Sequence, residues 1–253
     1  MVADPRTRGK RRARGRRRSI HRAAFLAERR RFAVSAILRP LRSECWHRLM
    51  IPRFDMNDFD RALFLIINAG DGSWGSVAWL AFVLAKFVIY LVPAHLAVIW
   101  VFGDFSVRRQ AIMLLTALLL ALSASYLIGA VMPSQRPFLI PVGNTLMEHR
   151  PSPSFPSNHG LVMFTYAAAL AALGHWRHFA FFGILGMMVA WSRIYLGVHF
   201  PLDMAGAVAV AGLAAWAALR ADRTAGRMMT TLAENIYFAC AVEPIRRLTA
   251  RFR

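Results

Sequence analysis

Trp191-Ser192-Arg193-Ile194-Tyr195-Leu196-Gly197-Val198-His199-Phe200-Pro201-Leu202-Asp203 lies between two apolar runs, 179–190 and 204–219, yet carries an arginine, a histidine and an aspartate. Ionisable groups at membrane depth are costly, so where they occur they face one another or a polar interior. His199 and Asp203 are four apart, which sets them on one face of a helix. There a carboxylate can hold one imidazole nitrogen, fix the tautomer and leave the other nitrogen free to attack. Arg193 adds a planar cation suited to a phosphoryl group. The competing reading is a set of long side chains reaching for the interface at helix ends, and it weakens as further segments join.

The flanking runs are part of a wider pattern. Of the 253 residues 57% are hydrophobic and 18% charged, and the apolar ones come in long blocks. That is the pattern of an all-α, polytopic membrane helix bundle and excludes an ordinary soluble domain. About five transmembrane helices are expected, near 76–102, 110–132, 159–173, 179–195 and 201–219. A short amphipathic helix over 58–68 (Phe59, Leu63, Phe64, Ile67) precedes them at the membrane surface, and Ala69-Gly70-Asp71-Gly72-Ser73 ends it. The membrane-embedded domain is read as 56–220.

Charge is placed very unevenly. Residues 1–54 hold 17 Lys or Arg against 3 Asp or Glu, out of a net charge of +19. Residues 1–55 read as a basic, disordered tail. Without aromatic interleaving or a nucleic-acid motif, no nucleic-acid partner is expected. Residues 221–253 read as a basic cytoplasmic tail with an interfacial stretch at 233–241. The two cysteines, Cys45 and Cys240, form neither a disulfide framework nor a metal motif. No signal peptide is evident.

The turns at Arg108-Arg109 and His175-Trp176-Arg177-His178 and the C-terminal tail are basic, so the positive-inside rule puts them in the cytoplasm. The 133–158 loop and the 192–203 stretch then share the opposite face. Five spans would put the basic N-terminal tail outside; either the 58–73 segment re-enters the membrane or translation starts near Met56, and the second is preferred. Within the first span, His95 reads as a satisfied packing residue and Lys86 as a cation facing a polar interior.

Two further segments reach the same face. Gln135-Arg136-Pro137-Phe138 follows the second span, and Ser154-Phe155-Pro156-Ser157-Asn158-His159-Gly160 opens the third. Ser157 suits an N-cap, which turns backbone N–H groups and the helix dipole toward a phosphate. His159, in the first turn, can give a proton to a leaving oxygen. Two arginines, two histidines, one carboxylate and a helix N-terminus are the parts of metal-free phosphoryl transfer through a phosphohistidine. Arginines repel a metal ion and no acidic or cysteine cluster completes a shell, so no metal or cofactor is expected.

Arg136-Pro137, then Pro156-Ser157-Asn158-His159, then Ser192-Arg193 with His199 and Asp203 resemble the three signature motifs of the type 2 phosphatidic acid phosphatase superfamily. The resemblance covers roughly 56–220. It implies His199 as nucleophile, Asp203 as its orienter, His159 as general acid, and Arg136, Arg193 and Ser157 as phosphate ligands. Two positions depart from the pattern. Gly129 stands where the first motif has a lysine, leaving Lys86 or another cation to replace it. Asn158 stands where the second motif has glycine, and is taken as a further phosphate ligand.

A polar residue at 158, the Asn144-Thr145-Leu146-Met147-Glu148-His149 loop and Asp60-Arg61-Ala62-Leu63-Phe64 resemble the undecaprenyl-diphosphatase branch. Glu148, His149 and Ser192 are accordingly possible substrate contacts. The expectation is a bacterial inner-membrane lipid phosphatase whose site faces the periplasm, converting undecaprenyl diphosphate to undecaprenyl phosphate and phosphate. The alternatives are a phosphatase or phosphotransferase for another lipid phosphate (phosphatidylglycerophosphate, phosphatidate or lipid A), or a non-catalytic membrane protein.

Overall fold

The computed structural model describes residues 58–71, 74–140, 142–244 and 246. The basic tail read over 1–55 lies outside the described residues. Among them the chain is all-helical: α1 (Asp58–Ile67), α2 (Ser76–Phe87), α3 (Leu91–Phe102), α4 (Phe105–Val131), α5 (Asn158–Ala172), α6 (Trp176–Tyr195) and α7 (Pro201–Tyr237).

The first span, α2 with α3, is broken by a 3₁₀ turn at Val88–Tyr90. Pro93 explains the break, because it offers no N–H to the carbonyl of Ile89 and its ring crowds that turn. α4 begins five residues before the expected Gln110. Asp104 caps it, its carboxylate accepting from the Val107 amide at 2.9 Å, a start signal overlooked in favour of the glycine and the arginines around it.

α7 runs eighteen residues past the expected end at Leu219. At 1.5 Å per residue its 37 residues span about 55 Å against a hydrocarbon core of about 30 Å. The extension is tied back to the start of α4. Arg109 grips Asp222 through Nε–Oδ1 and Nη2–Oδ2, both 3.0 Å, and Arg108 reaches Glu234 at 2.9 Å.

Among the described residues three helical stretches are long and apolar enough to cross a membrane: Ser76–Phe102, Phe105–Val131 and Pro201–Val242. The other two expected spans, α5 and α6, are helices at the expected places but fall short by length and composition. α5 has only 15 residues, and α6 opens on Trp176-Arg177-His178 and closes on Ser192-Arg193.

α5 is the centre of the bundle, packed against α4, α6 and α7. Its Met163, Tyr166 and Leu170 join Met113 and Leu114 of α4, Phe182 and Val189 of α6 and Ala215 and Ala218 of α7 in the main core. His95 is satisfied as expected, with Nδ1 2.5 Å from the Tyr166 hydroxyl. α7 meets α5 and α4 through Ala207, Ala211, Ala214, Ala215 and Ala218, all buried and all on one helical face.

In lipid, association rests on close backbone approach and dispersion, so small residues make the seam. Ala211 is 1% exposed and lies against Ala121 and Leu161. Ala211→Leu is therefore expected to cost about 1–3 kcal/mol through overpacking, read as a lower melting temperature in detergent. Leu213→Ala, 69% exposed on the same helix, should stay within about 0.5 kcal/mol of the parent.

Candidate active site

Four helix ends converge at one end of the bundle: the C-termini of α4 and α6 and the N-termini of α5 and α7. α6 stops at Tyr195, and Gly197 (φ +75°) turns the chain. A Cβ there would fall 2.2 Å from the backbone oxygen of Asn144, so this turn needs glycine. The Val198 amide then donates back to the Arg193 carbonyl at 3.0 Å, and the turn delivers His199 at the mouth of α7.

Asp203 is the third residue of α7. Its Oδ2 accepts from the Phe200 amide at 2.9 Å, reaching back over the N-terminus in the capping-box manner. The same oxygen lies 3.1 Å from His199 Nδ1. Ser154 also donates its hydroxyl to Asp203 Oδ2, and its Oγ is 3.3 Å from His199 Nδ1. With Nδ1 turned to the carboxylate, Nε2 faces Arg136 Nη1 at 3.0 Å.

Arg136 is held by its own loop, Nε donating to the Ser152 carbonyl at 2.8 Å and Nη2 to the Pro153 carbonyl at 3.2 Å. Burial lowers its pKa to about 10, so it remains a cation at neutral pH. Burial, with Arg136 and Arg193 nearby, drives the His199 pKa well below its ordinary value. The ring is thus neutral, with the Nε2 lone pair directed at a cation, the protonation state a nucleophile needs.

Arg193 is 2% exposed, and its Nε and Nη2 have no hydrogen-bond partner. Ser157 Oγ is likewise buried without a partner. Buried guanidinium donors left unpaired are expensive, and these two with the Ser157 hydroxyl, beside a neutral histidine, suit an oxyanion. Ser157 is the N-cap residue of α5 as expected, but its hydroxyl makes no capping bond. His159 is half-buried in the first turn of α5, within electrostatic range of Arg193, His199 and His149.

The loop before α5 brings His149 to the same place. Its ring centroid is 6.4 Å from that of His199, and its Nδ1 is 3.0 Å from the Arg150 carbonyl. Burial lowers the pKa of His149 as well.

Four expected contacts are not in this group. Asn158 turns its side-chain oxygen to the Ser125 hydroxyl on α4, at 2.7 Å, because the first turn of α5 lies against that helix. Ser192 donates to the Val189 carbonyl of its own helix at 2.7 Å. Glu148 is exposed on the loop. Lys86 is exposed as well, its ammonium over the rings of Phe82 and Phe87 at 5.1 and 5.8 Å. Its long stem lets the charge lie on neighbouring aromatic faces instead of an interior.

Among the described residues no hydrogen bond or ion pair joins Lys86 to those around His199. Gly129 abuts Pro153, whose Cβ would be 3.3 Å from an added Cβ. Ser154 was overlooked from the sequence. The signal for it is a small hydroxyl one turn ahead of the α5 start, on a loop pinned by Ser134, whose Oγ accepts from the Phe155 amide at 2.7 Å.

The chain is similar to known proteins. Residues 110–227 match the PAP2 superfamily. YbjG of Escherichia coli K12 is 32% identical over 192 residues, covering 76% of this chain and 97% of YbjG. The undecaprenyl-diphosphatase BcrC of Bacillus subtilis is 30% identical over 129 residues, covering 51% of this chain and 66% of BcrC. Among solved structures, LpxE of Aquifex aeolicus superposes with a TM-score of 0.55 at 21% identity, over 66% of this chain and 99% of LpxE. That likeness is one of fold.

Proposed function

The chain belongs to the PAP2 superfamily, and from that premise we propose that this membrane phosphatase hydrolyses undecaprenyl diphosphate to undecaprenyl phosphate and phosphate. The observation that carries the phosphatase reading is the trio of unpartnered buried donors, Arg193 Nε, Arg193 Nη2 and Ser157 Oγ, beside a neutral His199. The polyprenyl diphosphate is supported by the similarity to BcrC, whose name states that activity.

His199 Nε2 attacks the terminal phosphorus while Asp203 keeps the proton on Nδ1. Arg136, Arg193 and the N-terminus of α5 hold the charged oxygens, a preorganised cationic cradle. The bond from phosphorus to the bridging oxygen breaks, and His159 gives its proton to the departing lipid phosphate. Water, losing a proton to His159, then splits the phosphohistidine and releases phosphate. The basic turns and tail favour the cytoplasm, so the site opens on the periplasmic face of a bacterial inner membrane.

The residues described read the phosphate, so the lipid is tested directly. Purified protein in detergent with EDTA should release phosphate from undecaprenyl diphosphate with at least tenfold higher kcat/KM than from phosphatidylglycerophosphate, phosphatidate or lipid A. Preference for a monophosphate, or loss of activity in EDTA, would sink the reading.

A further inference from the structure

α1 carries a buried acid that the mechanism above does not use. Asp60 is 5% exposed, and its Oδ1 accepts from the Leu202 amide, 142 residues away, at 2.9 Å. Leu202 is the second residue of α7 and the immediate neighbour of Asp203. The first amides of a helix have no partner within it. Pro201 has no N–H to satisfy, Asp203 N donates to the Phe200 carbonyl at 3.1 Å, and the Leu202 amide is left to Asp60. We infer that Asp60 is a positioning residue for the His199–Asp203 pair, its carboxylate holding the first turn of α7 through the Leu202 amide.

The rest of α1 is fixed around the same point. Phe64, fully buried, meets Phe200 edge to face with centroids 5.1 Å apart, so the residue between His199 and Pro201 packs on α1. Asn68 donates from Nδ2 to the carbonyls of Asn144 at 2.8 Å and Tyr195 at 3.0 Å, and accepts from the Asn144 amide at 2.7 Å. One face of α1 and the residue that follows it thus grip the mouth of α7, the end of α6 and the loop that carries His149.

The opposite face is apolar and exposed, with Phe59 66% and Ile66 80% accessible, as suits a helix lying in the lipid interface. Burial raises the Asp60 pKa, with Asp203 adding to the rise, while the Leu202 amide opposes it. A carboxyl group kept in such a place needs the amide and the positive end of the α7 dipole. Without them its burial is unfavourable.

If this turn loosens, Asp203 moves with it and His199 loses its fixed tautomer and aim. A misplacement of about 1 Å at a reacting group costs on the order of a hundredfold in rate. The effect belongs in kcat, because the phosphate ligands lie on other segments. The inference rests on His199 being the nucleophile, so His199→Ala is measured beside the Asp60 variants.

The test is steady-state hydrolysis of undecaprenyl diphosphate in detergent. Asp60→Leu keeps the branching of the side chain but removes the acceptor, and should lower kcat at least tenfold with KM within twofold. Asp60→Asn keeps an oxygen for the Leu202 amide and should return kcat to within about threefold of the parent. Asp60→Ala serves in place of the leucine variant should that one fail to fold, with the same expectation. Arg61→Ala, on the exposed face of α1, should behave as the parent.

Normal kcat without the acceptor would overturn the inference, as would an asparagine variant as slow as the leucine one, or a change confined to KM. A dead His199→Ala with a normal Asp60→Leu would remove only the role of Asp60. An active His199→Ala would remove the nucleophile assignment and this inference with it.

Discussion

His199→Ala is expected to abolish phosphate release, lowering kcat by about 10⁴-fold or more, which corresponds to at least about 5 kcal/mol of transition-state stabilisation. The ring is 1% exposed and is bounded on one side by Asp203 and Ser154 and on the other by Arg136. No other described side chain presents a neutral nitrogen held by a carboxylate on one side and faced by an arginine on the other. A general fall in activity would not by itself separate a nucleophile from a structural histidine, so the covalent step has to be read.

Brief mixing of enzyme with substrate labelled in the terminal phosphate should yield protein that carries an acid-labile, base-stable label. That label should both form and decay more slowly in His159→Ala, which lacks the acid of the first step and the base of the second, and should vanish in His199→Ala. Asp203→Asn should fall between, at about 10²- to 10⁴-fold, since the ring keeps a neighbour but loses the anion that stabilises its tautomer. Label in His199→Ala would overturn the assignment whatever the rate.

These effects fall on residues that the sequence already marks, and the reason is physical. Charged residues interrupting long apolar blocks stand out because burial in lipid leaves them few roles. Arg193, His199 and Asp203 are legible for that reason, Arg136 and His159 by their motifs at span ends on the same face, and so are the helices between them. What stays hidden is what neutral hydrogen bonds decide. Ser154 is one serine among several on a proline-rich loop, and only the fold sets its hydroxyl against Asp203 and His199.

Asn158 and Ser192 sit inside recognisable motifs, yet other bonds claim them, Asn158 through Ser125 on the neighbouring α4 and Ser192 through the Val189 carbonyl of its own helix. Asp60 lies on, and Asn68 directly follows, a ten-residue helix whose amphipathic pattern says that it has an inner face but not what that face touches. The length of α7 was misread because hydropathy falls at Arg220, whereas the helix is continued by ion pairs to Arg108 and Arg109. Hydropathy reports where lipid is. It does not report where a helix ends.

Arg193 gives the prediction in which activity and stability move in opposite directions. Its guanidinium is buried with two nitrogens unpaired, an arrangement that costs several kcal/mol in a folded protein without an anion. Replacing a buried, unpaired charge by an apolar side chain of similar length removes that cost. Arg193→Met should therefore melt no lower than the parent when phosphate is absent, and higher if the methionine packs well.

Its kcat should nevertheless fall by about 10²- to 10³-fold, the loss of about 2.7–4 kcal/mol typical of removing one preorganised donor from a developing charge. Orthovanadate, which imitates the five-coordinate phosphorus, should raise the melting temperature of the parent by linkage and leave Arg193→Met nearly unmoved. If Arg193 were instead a structural pin for the turn that delivers His199, the methionine variant would lose stability along with activity. The vanadate shift would then track the fraction folded. The two melting curves, with and without vanadate, decide between these accounts, because only a ligand of the transferring phosphoryl group is strained when alone and relieved when occupied.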